Sequence, residues 1–337
     1  MSFNSGGNMN WENLSVLITG ATGSFGKRCV RTLLDRYRPK RVIVFSRDEL
    51  KQHEMMTSGF QAESLRYYIG DVRDVDRLRR AMVGVDVVIH AAALKQVPAC
   101  EYNPIEAVHT NVNGAKNVIE AALDCGVKRV VALSTDKAVS PINLYGATKL
   151  VAEKLFVQAN SYSGAGAVRF SCVRYGNVVG SRGSVIPLFM DQRKTGRLSI
   201  TDAQMTRFWI TLDQGVAFVL NCVEQMHGGE VFVPKIPSTG MMELAKAIAP
   251  DCEIDHIGIR PGEKLHECLM SEDESRTALD LGDFFVIQPM HKWWVAENWP
   301  EGTAVAPGFR YSSDTNDRLL KQDELKGLLD PKVWAAG

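Results

Sequence analysis

Leu14-Ser-Val-Leu-Ile-Thr19, Gly20-Ala-Thr-Gly23-Ser-Phe-Gly26 and Lys27-Arg-Cys-Val-Arg-Thr-Leu-Leu34 follow one another near the start of the chain. The first run is short and rich in β-branched and apolar residues, as a buried strand requires. The last carries its apolar residues at helical spacing. Between them, three glycines spaced G-x-x-G-x-x-G permit a tight turn and a close backbone approach. A helix starting there offers free N–H groups and a partial positive charge to a pyrophosphate. Strand, glycine turn and helix in that order predict a dinucleotide site built from Thr19, Gly20, Thr22, Gly23, Ser24, Phe25 and Gly26.

Further strand-like runs extend the pattern. Arg41-Val-Ile-Val-Phe45 leads into Ser46-Arg47-Asp48. An acid directly after the second strand suits the two free ribose hydroxyls of NAD, whereas arginine and hydroxyl donors suit the 2′-phosphate of NADP. Ser46 and Arg47 come first, so NADP is expected, with Lys51 in the same group; Asp48 keeps NAD open. Leu65–Ile69 ends at Asp71, a candidate acceptor for the adenine amino group, and Val72. Val85–His90 runs into Ala91, Ala92 and Ala93, small residues that let the backbone pass close to the cofactor. Lys95 follows as a candidate for the substrate pocket, and Asn111 is expected to tie its helix to the central strands. Val130–Leu133 and Ala167–Val173 complete a set of apolar strands alternating with helical segments. The predicted fold is α/β, a doubly wound parallel (Rossmann) sheet with a smaller C-terminal substrate-binding domain. Residues 12–178 and 210–235 are assigned to the first domain and 179–209 and 236–337 to the second. Residues 1–11 are expected to form a flexible tail. In the second domain, Met241–Ala249 reads as a helix, and Arg260–Glu267 as the start of another.

The bulk properties exclude several classes. In 337 residues, Lys+Arg and Asp+Glu balance at 39 each, so no general basic field recruits nucleic acid or an acidic membrane. No apolar run approaches the roughly 18–20 residues of a membrane span. The seven cysteines form no Cys-x-x-Cys, and the seven histidines no metal-ligand spacing. Reduced thiols, a cytoplasmic location and no metal are expected.

The chemistry concentrates after the strand that ends at Leu133. Ser134-Thr135-Asp136-Lys137 sits where a strand gives way to a loop, the edge at which open α/β sheets bind ligands. Tyr145 and Lys149 are four apart on a predicted helix and share a face. A phenol with an ordinary pKa near 10 is a poor base at neutral pH. A cationic Lys149 on that face, with a nicotinamide charge, would favour its phenolate.

These motifs resemble the extended short-chain dehydrogenase/reductases that act on nucleotide sugars: Gly20-x-x-Gly-x-x-Gly26, Asp71, Tyr145-x-x-x-Lys149 and Arg260-Pro-Gly-Glu263. Ser134-Thr-Asp-Lys137-Ala and Arg174-Tyr-Gly-Asn177-Val-Val-Gly-Ser-Arg-Gly-Ser184 resemble one branch. That branch is the soluble, inverting UDP-N-acetylglucosamine 4,6-dehydratases of pseudaminic-acid biosynthesis. Its relatives include anchored retaining dehydratases, whose membrane-spanning N-terminal region the chain is expected to lack, and UDP-sugar epimerases.

The resemblance implies a reaction in which C4 of the hexose is oxidised, water is eliminated across C5/C6, and hydride returns at C6. It implies Tyr145 as base at the C4 hydroxyl, with Thr135 and Ser134 bonding the C4 oxygen. Asp136 would be the acid at the C6 hydroxyl and Lys137 the base at C5, both as neutral groups, a state that desolvation favours. Asn177, Arg182 and Arg260 would meet the diphosphate and Glu263 a ribose hydroxyl, with Lys95 and Ser184 near the sugar nucleotide, Thr201 and Met205 at the uracil, and Val178 by the cofactor. UDP-N-acetylglucosamine is the expected substrate and a homo-oligomer the expected assembly. A 4- or 5-epimerase on the same UDP-N-acetylhexosamine, and a non-catalytic NADP-binding regulator, are the alternatives.

Overall fold

The protein was analysed as a computed structural model, which describes residues 9–164, 167–180, 184–290 and 298–329. Trp293 and Trp294 lie outside these residues, as does Arg182. The N-terminal half is strand–helix alternation. Strand β1 (Ser15–Thr19) is followed by α1 (Ser24–Thr32), β2 (Arg41–Ser46) by α2 (Glu49–Thr57), and β3 (Leu65–Ile69) by α3 (Val75–Met82). Next come β4 (Val87–His90), the short helices α4 (Val97–Tyr102) and α5 (Pro104–Val108), and α6 (Gly114–Asp124). Strand β5 (Arg129–Leu133), the 16-residue α7 (Leu144–Ala159) and β6 (Arg169–Val173) close this half.

The chain then passes through β7 (Asn177–Val178), α8 (Val185–Gln192), β8 (Arg197–Ile200), β9 (Thr206–Ile210) and α9 (Leu212–Gln225). It continues through β10 (Val231–Pro234), β11 (Ser238–Gly240), α10 (Met241–Ile248), β12 (Glu253–His256) and β13 (Cys268–Met270). It ends with β14 (Ala278–Asp280), β15 (Phe284–Ile287), β16 (Thr303–Ala304), β17 (Tyr311–Ser312) and α11 (Gln322–Leu328).

The main sheet has the order β16-β14-β15-β10-β6-β5-β4-β1-β2-β3. From β3 to β10 all pairs are parallel, so both faces need helical cover; the inner strands β1, β4, β5 and β6 are almost wholly buried, while the edge strand β3 is partly exposed. Strand order reverses between β1 and β4, which opens a crevice at their carboxyl ends; this is the doubly wound fold expected from sequence. Gly20 turns the chain there with φ +66°, and a Cβ on it would lie 2.9 Å from the Ala92 backbone at the end of β4. A Cβ on Gly26 would collide with Ala21, so α1 can lie against β1 only with glycine at that position.

Two apolar clusters fill the molecule. The large one surrounds the main sheet; the smaller joins Ile186, Phe189, Leu198, Ile200, Trp209, Leu244 and Leu325 from α8, β8, β9, α10 and α11. Three expectations need correction. Strands β14, β15 and β16 belong to the main sheet, since β15 pairs antiparallel with β10 and its Phe284, Phe285, Val286 and Ile287 are buried in the large core. The second unit therefore does not run unbroken from residue 236. Trp11, assigned to the tail, is 5% exposed; its ring meets Tyr37 edge-on at 4.9 Å and its indole N–H donates to Glu224 at 2.6 Å. Finally, Arg260–Glu267 is a turn rather than a helix: Pro261-Gly262 places Gly262 at φ +80°, and the chain proceeds directly into β13.

Candidate active site

A cavity of about 850 Å³ opens along the carboxyl ends of the parallel strands and extends over the smaller cluster. Its walls carry every site residue named from sequence among the described ones, except Thr19. The Thr19 side chain is fully buried beneath it. Its hydroxyl accepts from the amides of Ala91 and Ala92 at 3.2 Å, which leaves its proton to be donated to Nδ1 of His90 at 2.8 Å. Thr19 thus fastens the loop after β4 and does not face the cavity.

One end of the cavity is glycine-lined. Gly20 to Gly26 lead into α1, whose N-terminus begins at Ser24 behind Gly23, and Ala91, Ala92 and Ala93 face them. The turn has no room for a Cβ at Gly20, while the free amides of a helix N-terminus suit a pyrophosphate, so these residues fit a dinucleotide. Beyond β2, the Thr22 and Ser46 hydroxyls bond each other at 2.8 Å and Arg47 remains half exposed. Asp48 caps α2 by accepting from the Lys51 amide at 3.0 Å, and it also pairs with the Lys51 ammonium at 2.6 Å. Asp71 accepts from Arg73 at 2.8 Å with Arg47 at 3.8 Å, and these guanidinium partners outweigh burial to hold its carboxyl below the usual range. Both carboxylates named from sequence as adenosine contacts are thus already paired.

The other end holds the reactive cluster. Asp136, Lys137 and Ala138 form a single helical turn after β5, capped by Thr135, which accepts from the Lys137 amide at 3.3 Å. Thr135 Oγ1 also donates to Asp136 Oδ1 at 2.7 Å. Asp136 is 1% exposed, and its second oxygen, Oδ2, has no hydrogen-bond partner among the described residues. Lys137 Nζ lies 3.1 Å from Asp136 Oδ1 and 3.3 Å from Glu267 Oε1. Burial opposes its charge, but the two carboxylates prevail and raise its pKa above the usual lysine range. From sequence the charge of this amine is open, since only desolvation and Asp136 can be weighed; a second carboxylate, delivered from just before β13, favours the ammonium.

Helix α7 supplies Tyr145 and Lys149. Its N-cap is Asn143, which accepts from the Gly146 amide at 2.7 Å. Gly146 is needed at this spot because any Cβ would collide with the Lys137 carbonyl. Lys149 is buried and donates to the Leu133 carbonyl at 2.5 Å; burial lowers its pKa. Burial raises Tyr145 to about 12, opposed by Lys137 and by a hydrogen bond with Thr135. Lys137 is thus a further cation that favours the phenolate. A positively charged nicotinamide beside this phenol would lower it further.

Ser134 is also reassigned. Its hydroxyl donates to Glu153 at 2.7 Å, within a buried network in which Arg174 bridges Glu153 and Glu274 at 2.5 and 2.7 Å. It supports the end of β5 and has no proton left for a substrate oxygen. Asn111 joins Leu94, by both its amide and its carbonyl, to Thr148 of α7.

The remaining candidates line the cavity near the smaller cluster. Asn177 and Val178 form β7, and Ser184 precedes α8 with its hydroxyl unpartnered among the described residues. Thr201 follows β8; Met205 is buried, its sulfur beside an Arg207 nitrogen at 2.9 Å. Arg260 and Glu263 stand 4.0 Å apart, and Glu263 Oε2 has no hydrogen-bond partner among the described residues. Lys95 reaches the same space, and its pKa is lowered by burial and by Lys137. The turn carrying Arg260 and Glu263 is clamped to the reactive loop: Asn143 donates to the Gly262 carbonyl at 2.8 Å and Lys264 to the Val139 carbonyl at 2.5 Å. Sequence reasoning missed Glu267, Arg207, Trp209 and Tyr175, all on the wall. Arg207 and Trp209 share β9, Tyr175 follows β6 and Glu267 precedes β13, so only the fold brings these distant segments together.

The fold and the Tyr145/Lys149 helix define an extended short-chain dehydrogenase/reductase. The family described as polysaccharide biosynthesis protein matches residues 16–289, and the chain belongs to it. Over 325 residues it is 51% identical to the UDP-N-acetylglucosamine 4,6-dehydratase (inverting) of Campylobacter jejuni, covering 94% of this chain and 97% of that one. It is 43% identical to the UDP-glucose 4-epimerase of Rickettsia massiliae, at 94% and 95% coverage. Among solved structures, Pen from Bacillus thuringiensis superposes with a TM-score of 0.87 at 40% identity, covering 95% of this chain and 98% of that one.

Proposed function

We propose that the protein is an inverting UDP-N-acetylglucosamine 4,6-dehydratase working with a bound NADP. The observation that carries this reading is the Asp136–Lys137 pair, 3.1 Å apart, beside Tyr145 in one cavity. A 4-epimerase needs the phenol but neither member of that pair, and a 5-epimerase needs a base at C5 but no acid at the C6 hydroxyl.

The pair also supplies a route to the required neutral groups. One proton passed from Lys137 Nζ to Asp136 Oδ1 turns ammonium and carboxylate into amine and carboxylic acid with no change in total charge. Poor solvation of the pair lowers the cost of that transfer. The amine then takes the C5 proton while the acid protonates the C6 hydroxyl, which leaves as water. Ammonium and carboxylate are restored. Tyr145, with Thr135 bonded to it, takes the C4 hydroxyl proton at the start. A nicotinamide bound there would supply the acceptor for the C4 hydride and its donor at C6. Gly20 to Gly26 would hold the pyrophosphate. Ser46 and Arg47 would meet a 2′-phosphate, a preference supported by the engagement of Asp48 with Lys51. Arg260 and Glu263 would meet the nucleotide, and the assembly is a homo-oligomer in this proposal.

Incubation with UDP-N-acetylglucosamine, followed by mass spectrometry and NMR, tests the reading. The expected product has lost one water and has an inverted C5. An unchanged mass with a second hexosamine in the spectrum would establish the epimerase instead. Parallel incubations of cofactor-stripped protein with NADP and NAD read the cofactor preference.

A further inference from the structure

Lys137 stands between two carboxylates, and the elimination described above employs only one of them. Glu267 is the other. Its side chain is 3% exposed, and Oε1 lies 3.3 Å from Lys137 Nζ. Oε2 is buried without a hydrogen-bond partner among the described residues. The backbone that carries the carboxylate is held in place from behind. The Glu267 amide donates to the Ser313 hydroxyl at 2.9 Å, and the Glu267 carbonyl accepts from the Ser313 amide at 2.8 Å. Arg207 of β9 brings its Nε to 3.8 Å, anchored by bonds to the carbonyls of Lys264 and Leu265. A buried acid fixed this firmly, with one oxygen on an amine and one left open, is poorly explained as a fold contact, because its remaining acceptor is left unsatisfied.

We propose that Glu267 is a positioning residue for Lys137, the partner that holds the amine in place when Asp136 has taken its proton and that pairs the ammonium formed as C5 is deprotonated. The inference rests on the assignment of Lys137 as the C5 base. Once Asp136 is a neutral acid it no longer offers a negative charge, so an ammonium developing in the transition state needs another. Glu267 meets that need without entering the proton inventory: it neither gains nor loses a proton in the cycle. The other charged or titratable groups around Lys137 are Asp136 in its own turn, Arg207 from β9, Lys95 after β4, Tyr145 of α7 and Lys264 in the clamped turn. Of these, Asp136 and Glu267 raise the proton affinity of Lys137 and Arg207 lowers it.

The test separates two steps in the intact enzyme with its cofactor bound. Oxidation at C4 is read from the absorbance of the reduced nicotinamide, and proton removal at C5 from exchange with solvent deuterium. In Glu267→Gln, C4 oxidation persists while C5 exchange slows by about 100-fold, so reduced cofactor accumulates. The ascending limb of the exchange rate moves to lower pH by about 1–3 units, because an opposite charge has been removed from the amine. Glu267→Asp recovers much of the exchange and keeps the limb near its original position. Equal losses in both steps, or a Glu267→Gln profile superposable on the parent, would overturn the proposal. Should Glu267→Gln not fold, Glu267→Asp carries the test alone: its exchange must slow more than its C4 oxidation, and equal effects overturn the role. Lys137→Ala separates the two readings. Retained exchange in that variant sinks the assignment of Lys137 itself, whereas lost exchange with a parental Glu267→Gln sinks only the role of Glu267.

Discussion

Burial decides the charge of His90. Its ring is 2% exposed, accepts from Thr19, and has its pKa lowered to about 3 by burial first and the nearby Lys149 charge second. In the unfolded chain the same ring titrates near 6.5, as a free histidine does. A depressed folded-state value means that the unfolded state binds the extra proton between about pH 6.5 and 3. The stabilisation is therefore complete above pH 6.5 and is lost as pH falls toward 3, at up to about 1.4 kcal/mol per unit. Denaturant titrations across this range should show that slope, reduced in His90→Gln. Lys137 illustrates the limit of a sequence at this scale. Its neighbour Asp136 is visible in the chain, but Glu267 is far away along it, and the net charge follows from both. Similarly, Ser134 and Thr135 are equivalent hydroxyls on paper. Only the direction each takes at the end of β5, one toward Glu153 and the other toward Asp136, tells them apart.

At the level of elements, the site depends on how tightly α7 lies against the turn of Asp136–Ala138. That approach is possible because Gly146 presents no side chain to the Lys137 carbonyl. Gly146→Ala must push the helix and the turn apart. It should destabilise the protein by about 1–3 kcal/mol, as overpacking does, measured by denaturant unfolding. It should also lower turnover more than cofactor binding, because Tyr145 and Lys137 move relative to each other. The strand–glycine–helix unit of β1 and α1 was legible because its signal is contiguous and the backbone itself forms the site. Arg260–Glu267 misled because proline at the start of a charged run also opens helices. What decides the matter is Gly262, whose positive φ turns the chain while Asn143 and Lys264 secure it to the reactive loop.

For the molecule as a whole, the edges of the main sheet come from distant parts of the sequence. Trp11 seals the large core beside Tyr37 and Glu224. Trp11→Ala should cost roughly 3–5 kcal/mol of unfolding free energy, while leaving C5 exchange at the parental rate, since the ring is remote from the cavity wall. Among the described residues, no helix is long and apolar enough to cross a membrane. The doubly wound half was readable because its pattern repeats; the late return of β14, β15 and β16 was not, because short antiparallel edge strands carry little periodicity.

That late return sets an order of assembly. The glycine turn, the small residues after β4, and Tyr145 are all encoded before residue 150. The turn that clamps the reactive loop, the carboxylate of Glu267 and the Ser313 that fixes it are synthesised far later. On a ribosome, the walls that receive the dinucleotide can therefore collapse around it well before the lysine acquires its second counter-charge. A nascent chain would handle the cofactor first and become competent for elimination only when its last quarter has folded back across the sheet.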